Sequence, residues 1–125
     1  MPSDRALVLY VIDEATDEVA ATIHESARLA RQLHVWEGPE PSAFDATPDG
    51  LRTVGVGLRF LDPFPAADRP GLIRLLEYLT IASNTLGVCL EVQLDGTPLG
   101  LVAPEGIQAW VAEHLREAFG LAEPI

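Results

Sequence analysis

Residues 88–103 read VCLEVQLDGTPLGLVA and predict a β-hairpin. In the first half of this stretch, aliphatic side chains alternate with Cys89, Glu91 and Gln93, as in a strand that buries one face. Asp95-Gly96 favours the tight turn of a hairpin, and residues 98–103 then predict the returning strand. The hairpin therefore belongs to a sheet with one apolar face and one polar face.

The segments before the hairpin alternate between strand and helix periodicity. Residues 6–12 form an apolar run rich in β-branched side chains, which predicts a strand, and residues 16–33 place apolar side chains at helical spacing. Residues 53–60 alternate between apolar and polar or small side chains, and predict a half-buried strand. Residues 70–86 predict a second helix, which ends at Gly87.

The last segment predicts a third helix that starts at residues 104–106, ends at Gly120 and turns Trp110 and His114 inward. The element order is then β-α-β-α-β-β-α. This order predicts an α+β fold, a two-layer sandwich with a four-stranded antiparallel or mixed sheet and three helices. We expect a single domain over residues 1–125, with one face of the sheet left open.

The charge balance limits the classes of partner. The chain carries 19 acidic residues and 8 basic residues, all of them arginine, for a net charge of -11. A surface of this sign repels the phosphates of nucleic acids and of anionic membranes, so we expect neither as a partner. The absence of lysine from the sequence excludes a lysine nucleophile or Schiff base. A charged partner is expected to be a basic protein.

The single cysteine and the start of the chain indicate the compartment. One cysteine, Cys89, cannot form an intramolecular disulfide or a multi-cysteine metal site. The N-terminal apolar run is too short for a membrane span, and Asp13-Glu14 follows it where a signal peptide would have small residues. We therefore expect a cytoplasmic protein. We expect Cys89 to be structural, since the neighbouring Glu91 raises the pKa of its thiol and so disfavours the thiolate.

Residues 34–51 predict a long acidic loop, because helical and strand periodicity both stop there and prolines and glycines recur. The loop contains four carboxylates, two aromatic side chains and no basic residue. Aromatic side chains in a polar loop either pack on the core or bind a partner. We expect the partner-binding residues to be Trp36, Glu37, Glu40, Phe44, Asp45 and Asp49.

No catalytic or metal-binding pattern is present. The three histidines lack a metal-ligand spacing, and no serine lies in a Gly-x-Ser-x-Gly elbow. Gly55-Val56-Gly57 lies inside a predicted strand and not at the strand-to-helix turn where a phosphate loop needs its glycines. We therefore expect no catalytic residue, no metal and no cofactor. The leading hypothesis is a non-catalytic binding module, an immunity-type inhibitor of a basic toxin or effector, or a small acidic chaperone.

Two alternatives remain from the sequence. The first is a small-ligand-binding domain or enzyme that uses the open sheet face, with Arg59, Glu91, Gln93 and His114 as polar contacts. The second is a homodimer formed through the sheet face or through a pair of helices.

Overall fold

The computed structural model describes residues 4–122, which form six strands and three α-helices. In chain order the elements are β1 (Asp4–Val11), α1 (Asp17–Gln32), β2 (Ser42–Ala46), β3 (Thr53–Leu61), α2 (Arg69–Leu86), β4 (Leu90–Leu94), β5 (Thr97–Ala103), β6 (Gly106–Ile107) and α3 (Ala109–Phe119). Single 3-10 turns lie at Pro48–Gly50 and Ala66–Asp68. The α+β class is confirmed.

All strand pairs are antiparallel, and the order across the sheet is β2-β3-β1-β4-β5-β6. β1 is central, so Leu9 pairs with Val56 on one side and with Val92 on the other. These three side chains are completely buried on one face of the sheet, under the helices. The other face has no helix over it in residues 4–122, because the three helices pack on the apolar face that alternation creates.

The prediction of a four-stranded sheet was wrong in its strand count. β2 lies inside residues 34–51, which were predicted to be a loop throughout, and β6 is only two residues long. β2 reads SAFDA, which lacks β-branched side chains and contains Asp45. Pairing with β3 stabilises β2 in spite of this weak propensity, since strand formation depends strongly on contacts with the neighbouring strands.

The helix boundaries follow the predicted signals for α1 and α2. Thr16 caps α1, because its hydroxyl accepts a hydrogen bond from the Val19 amide at 3.2 Å. Gly87 ends α2 and Gly120 ends α3, both in the left-handed conformation that glycine adopts without steric cost. None of the helices in residues 4–122 is long and apolar enough to cross a membrane.

The inward orientation predicted for Trp110 and His114 was wrong. Residues 104–107 turn into β6 and do not start the helix, so α3 begins at Ala109. The helix packs on the sheet through the stripe of Val111, Ala112, Leu115 and Phe119, which are spaced three and four residues apart. His114 is exposed, and Trp110 is 54% exposed with its Nε1–H donating to the Leu99 carbonyl at 3.0 Å.

Candidate functional site

A polar cluster lies on the open face of the sheet, where Tyr10 of β1 pairs with Glu91 of β4. The Tyr10 hydroxyl donates to Oε2 of Glu91, and Nε2 of Gln93 donates to the same oxygen at 2.7 Å. The hydrogen bond from Tyr10, followed by that from Gln93, holds the pKa of the Glu91 carboxyl below its usual range. The hydrogen bond to Glu91 is likewise the main reason that the pKa of Tyr10 is raised. Glu91 is therefore an anion on a half-buried sheet surface.

The two glycines of β3 differ in what covers them. A Cβ atom at Gly55 would lie 2.3 Å from the Leu9 carbonyl oxygen and 2.7 Å from Cζ of Phe44. The Phe44 ring thus fills the space above Gly55. The position requires glycine because any side chain there would collide with this ring. Gly57 has nothing within 4 Å of its Cβ position, so the sheet is open above it.

The four residues predicted for a small-ligand site are not brought together. Glu91 and Gln93 are in contact, as described above. Arg59 donates to Asp4 at 2.6 Å and its side chain is 75% exposed. His114 lies on α3, across the sheet from the open face, because α3 packs on the opposite side through Val111 and Phe119.

A cleft of about 630 Å³ lies at the end of β1, between the β1–α1 connection and the segment that enters β3. Its carboxylates are those of Asp13 and Glu14, and its apolar walls include Ile12 and Leu51, which are 49% and 75% exposed. Tyr10 also lines the cleft and joins it to the open sheet face. Carboxylates beside exposed aliphatic side chains form a surface that suits a long cationic side chain.

Of the described residues that line this cleft, Arg52 alone is basic, and it is already engaged within the chain. Its guanidinium binds both oxygens of Asp45, at 3.0 and 2.8 Å, and Asp17 at 2.7 Å. The pKa of Asp45 is lowered by these hydrogen bonds. Asp45 and Asp17 thus share one positive charge, while Glu14 has no hydrogen-bond or ion-pair partner within residues 4–122. The rim remains acidic in spite of the arginine.

The thiol beside this cleft is not activated. The Cys89 amide donates to Oδ2 of Asp13 at 2.6 Å, which ties the start of β4 to the end of β1. Burial, together with the charges of Asp13 and Glu105, raises the pKa of the Cys89 thiol. The sequence predicted a raised pKa for this thiol from the neighbouring Glu91, whereas the charges that raise it in the structure are those of Asp13 and Glu105. A thiolate nucleophile needs the opposite electrostatic setting.

Residues 34–41 are pinned to the helical layer and do not project from it. The Asp68 carboxylate, only 1% exposed, accepts hydrogen bonds from the Glu37 and Gly38 amides, both at 2.8 Å, and lies 3.0 Å from Nε2 of His34. Trp36 is half-buried, and its Nε1–H donates to the Ala30 carbonyl at 3.1 Å.

The predicted partner-binding residues are therefore dispersed. Trp36 packs on the core, Phe44 covers the sheet and Asp45 is ion-paired. Glu37, Glu40 and Asp49 are exposed.

Sequence reasoning missed several residues of this site. It did not include Tyr10, Ile12, Asp13, Glu14 and Leu51 among the candidates. The one signal for them was Asp13-Glu14 directly after an apolar strand, which places two carboxylates at a sheet end. The approach of Leu51 to that end depends on the antiparallel pairing of β1 with β3.

The remaining clefts and titratable groups give weaker candidates. A groove of about 340 Å³ runs between α1 and α2 past Tyr78 and Ile81, and one of about 420 Å³ lies beside Arg69 and Arg74. Arg69 there donates to the Phe119 carbonyl at 3.1 Å, at the end of α3. Residues 4–122 contain no cluster of three His, Cys, Asp or Glu side chains arranged to hold a metal ion.

A scan against protein-family models and searches of curated proteins and of solved structures each found no match for this chain.

Proposed function

We propose that this chain is a non-catalytic binding protein that captures a basic protein through the cleft at the end of β1. The observation that carries the proposal is the cleft itself, where Asp13 and Glu14 stand beside the exposed side chains of Ile12 and Leu51. An arginine or lysine of a partner can lay its aliphatic stem on these walls and present its charge to the carboxylates.

Charge around the cleft supports this choice of partner. Asp17 and Asp45 adjoin the cleft through Arg52, and Glu105 acts on Cys89 from the same end of the sheet as Asp13. With Glu14, these carboxylates outnumber the one guanidinium by five to one. An uncompensated surface of one sign speeds the association of an oppositely charged partner and suppresses binding of acidic ones.

Within residues 4–122, the lack of an activated group supports a binding role over catalysis. The Cys89 thiol has a raised pKa, and the Asp68 carboxylate, which is buried beside His34, already accepts two backbone amides. The proposed class is an immunity-type inhibitor that neutralises a basic toxin or effector, or a small acidic chaperone. In both, the partner masks its positive surface on this chain.

The test begins with an arginine-rich peptide titrated into the labelled protein, followed by amide NMR at low and at moderately high salt. We expect the largest shifts at residues 12–14 and 51–53, and we expect added salt to weaken binding. Glu14→Arg should weaken peptide binding at least tenfold. Glu113→Arg is the matched control, because it changes the net charge equally on an exposed position of α3.

The two variants decide between a site and a general charge effect. Equal weakening by Glu14→Arg and Glu113→Arg would mean that only net charge matters and would contradict the proposal. If the cleft variant alone loses binding, capture from a lysate of the source organism with both variants then identifies the natural partner. That partner must bind the Glu113→Arg protein and be lost from the Glu14→Arg protein.

A further inference from the structure

We infer that the open face of the sheet binds a second copy of this chain, in a twofold dimer centred on Val8. The face is formed by alternate residues of the strands, with Val8 between Gly57 of β3 and Gln93 of β4. The inference is independent of the proposed function, because the partner-binding cleft lies at the end of the sheet and this contact lies at its middle.

The charge of the face is the first support. Of the side chains that β1 to β5 place on it, only Asp4, Arg59 and Glu91 are charged, in a chain with a net charge of -11. Asp4 and Arg59 form an ion pair. Depletion of charge marks the core of protein interfaces, and here it makes the approach of an equally acidic copy feasible. The apolar side chains of the face include Ala6, Val8, Phe44, Leu61 and Leu101.

The positions of Arg59 and Glu91 favour a second copy over another partner. Arg59 of β3 pairs with Ala6, which lies two residues before Val8, and Glu91 of β4 pairs with Tyr10, which lies two residues after it. The two charges therefore lie at opposite corners around Val8, one strand away on each side. A twofold axis in the interface, perpendicular to the line that joins them, sets Arg59 of each copy opposite Glu91 of the other.

Both groups have capacity for this contact. The hydrogen bonds that Glu91 receives from Tyr10 and Gln93 both end on Oε2, so Oε1 is available within residues 4–122. The Arg59 side chain is 75% exposed, and its pair with Asp4 uses Nη2 only. Surface ion pairs of this kind are weak and exchange partners at low cost.

The geometry is compatible with known sheet packing. Arg59 and Glu91 lie two strands and four residues apart. With about 4.8 Å between strands and about 6.8 Å for two residues along a strand, the line that joins them makes an angle of about 35° with the strands. The strands of the two copies then cross at about 70°, near the orthogonal class of sheet packing. The empty space above Gly57, next to Val8, permits the close approach that this packing needs.

The test measures the dimer dissociation constant by sedimentation and by light scattering at two protein concentrations. Arg59→Glu should raise it at least tenfold by placing carboxylates opposite each other, and the double variant Arg59→Glu with Glu91→Arg should restore most of the loss. Gly57→Glu should also dissociate the dimer, although its side chain fits the monomer. Arg28→Glu on α1 is the control, with the same change in net charge at an exposed ion pair.

Each outcome supports or overturns the inference. A dimer that the control leaves intact, that both single face variants weaken and that the double variant restores supports it. A monomer mass at both concentrations overturns it, as does a dimer insensitive to Gly57→Glu. Weakening by Arg59→Glu without recovery in the double variant overturns the pairing of Arg59 with Glu91 across the axis.

Discussion

Nε2 of His34 lies 3.0 Å from Oδ1 of Asp68, a carboxylate that is 1% exposed, and this contact joins the end of α1 to the start of α2. The same carboxylate accepts the Glu37 and Gly38 amides, so one buried side chain satisfies three donors from a segment without regular structure. The segment that sequence reasoning assigned to partner binding is thereby held against the fold at its first half.

Removing this carboxylate should destabilise the protein. Asp68→Ala leaves the part-buried Glu37 and Gly38 amides without their acceptor, and an unpaired amide costs about 1 to 3 kcal/mol when fully buried and less when water reaches it. We therefore expect the free energy of unfolding to fall by about 2 kcal/mol in urea denaturation. Asp62→Ala is the control, since Asp62 is exposed, and a loss of similar size there would contradict the role of Asp68.

Asp68 should also make stability depend on pH on the acid side. Burial raises the pKa of this carboxyl, but the amides of Glu37 and Gly38, with His34, outweigh burial and hold it below its ordinary value of 3.8. A group whose pKa is lower in the folded state stabilises fully above its unfolded pKa and loses that contribution as the pH falls through the folded pKa. We expect the free energy of unfolding to decline below about pH 4, and to decline less steeply in Asp68→Ala. Equal slopes in the two proteins would argue against this linkage.

Gly71 should resist substitution although it lies in a helix. Replacing a helical glycine by alanine ordinarily stabilises by about 1 kcal/mol. Here the new Cβ would lie 2.6 Å from Cδ2 of His34 and 2.9 Å from Cη2 of Trp36, so Gly71→Ala should lower the melting temperature and change the fluorescence of Trp36. Thr85→Ala is the control, because it also raises helix propensity in α2, but at an exposed position. A stabilising effect of Gly71→Ala would contradict the packing described here.

The Tyr10 hydroxyl should control the ionisation of Glu91. The hydrogen bond from Tyr10 lowers the pKa of this carboxyl more than the hydrogen bond from Gln93 does, so Tyr10→Phe should raise that pKa toward its ordinary value. Carboxyl NMR shifts followed over pH measure the change directly. Gln93→Leu should raise the same pKa by less, and the reverse ranking would show that the contact with Tyr10 is not the dominant one.

Interactions that depend on close neighbours in the chain were predictable. The Asp95-Gly96 turn has positive φ at both residues, as the sequence pattern requires, and the alternating burial of β3 and β4 follows the spacing of their aliphatic side chains. β2 was missed because its five residues have little strand propensity of their own. In α3 the prediction was right for Val111 and Leu115 and wrong for Trp110 and His114, and residues 104–107, which resemble a helix start, form the β5–β6 turn instead.

The class of fold, the positions of the long helices and the acidic character of the surface follow from the amino-acid sequence, since periodicity and net charge are properties of the chain. The contacts of Asp68 with His34 and of Tyr10 with Glu91, and the cleft lined by Leu51 and Glu14, became visible in the folded molecule. These partners are separated by 34 to 81 positions. Strand order brings Tyr10 to Glu91 and Leu51 to Glu14, whereas the packing of α1 against α2 brings His34 to Asp68. The spacing of apolar residues along one strand does not determine which strands pair with it, because its apolar face can be buried equally well beside several different neighbours.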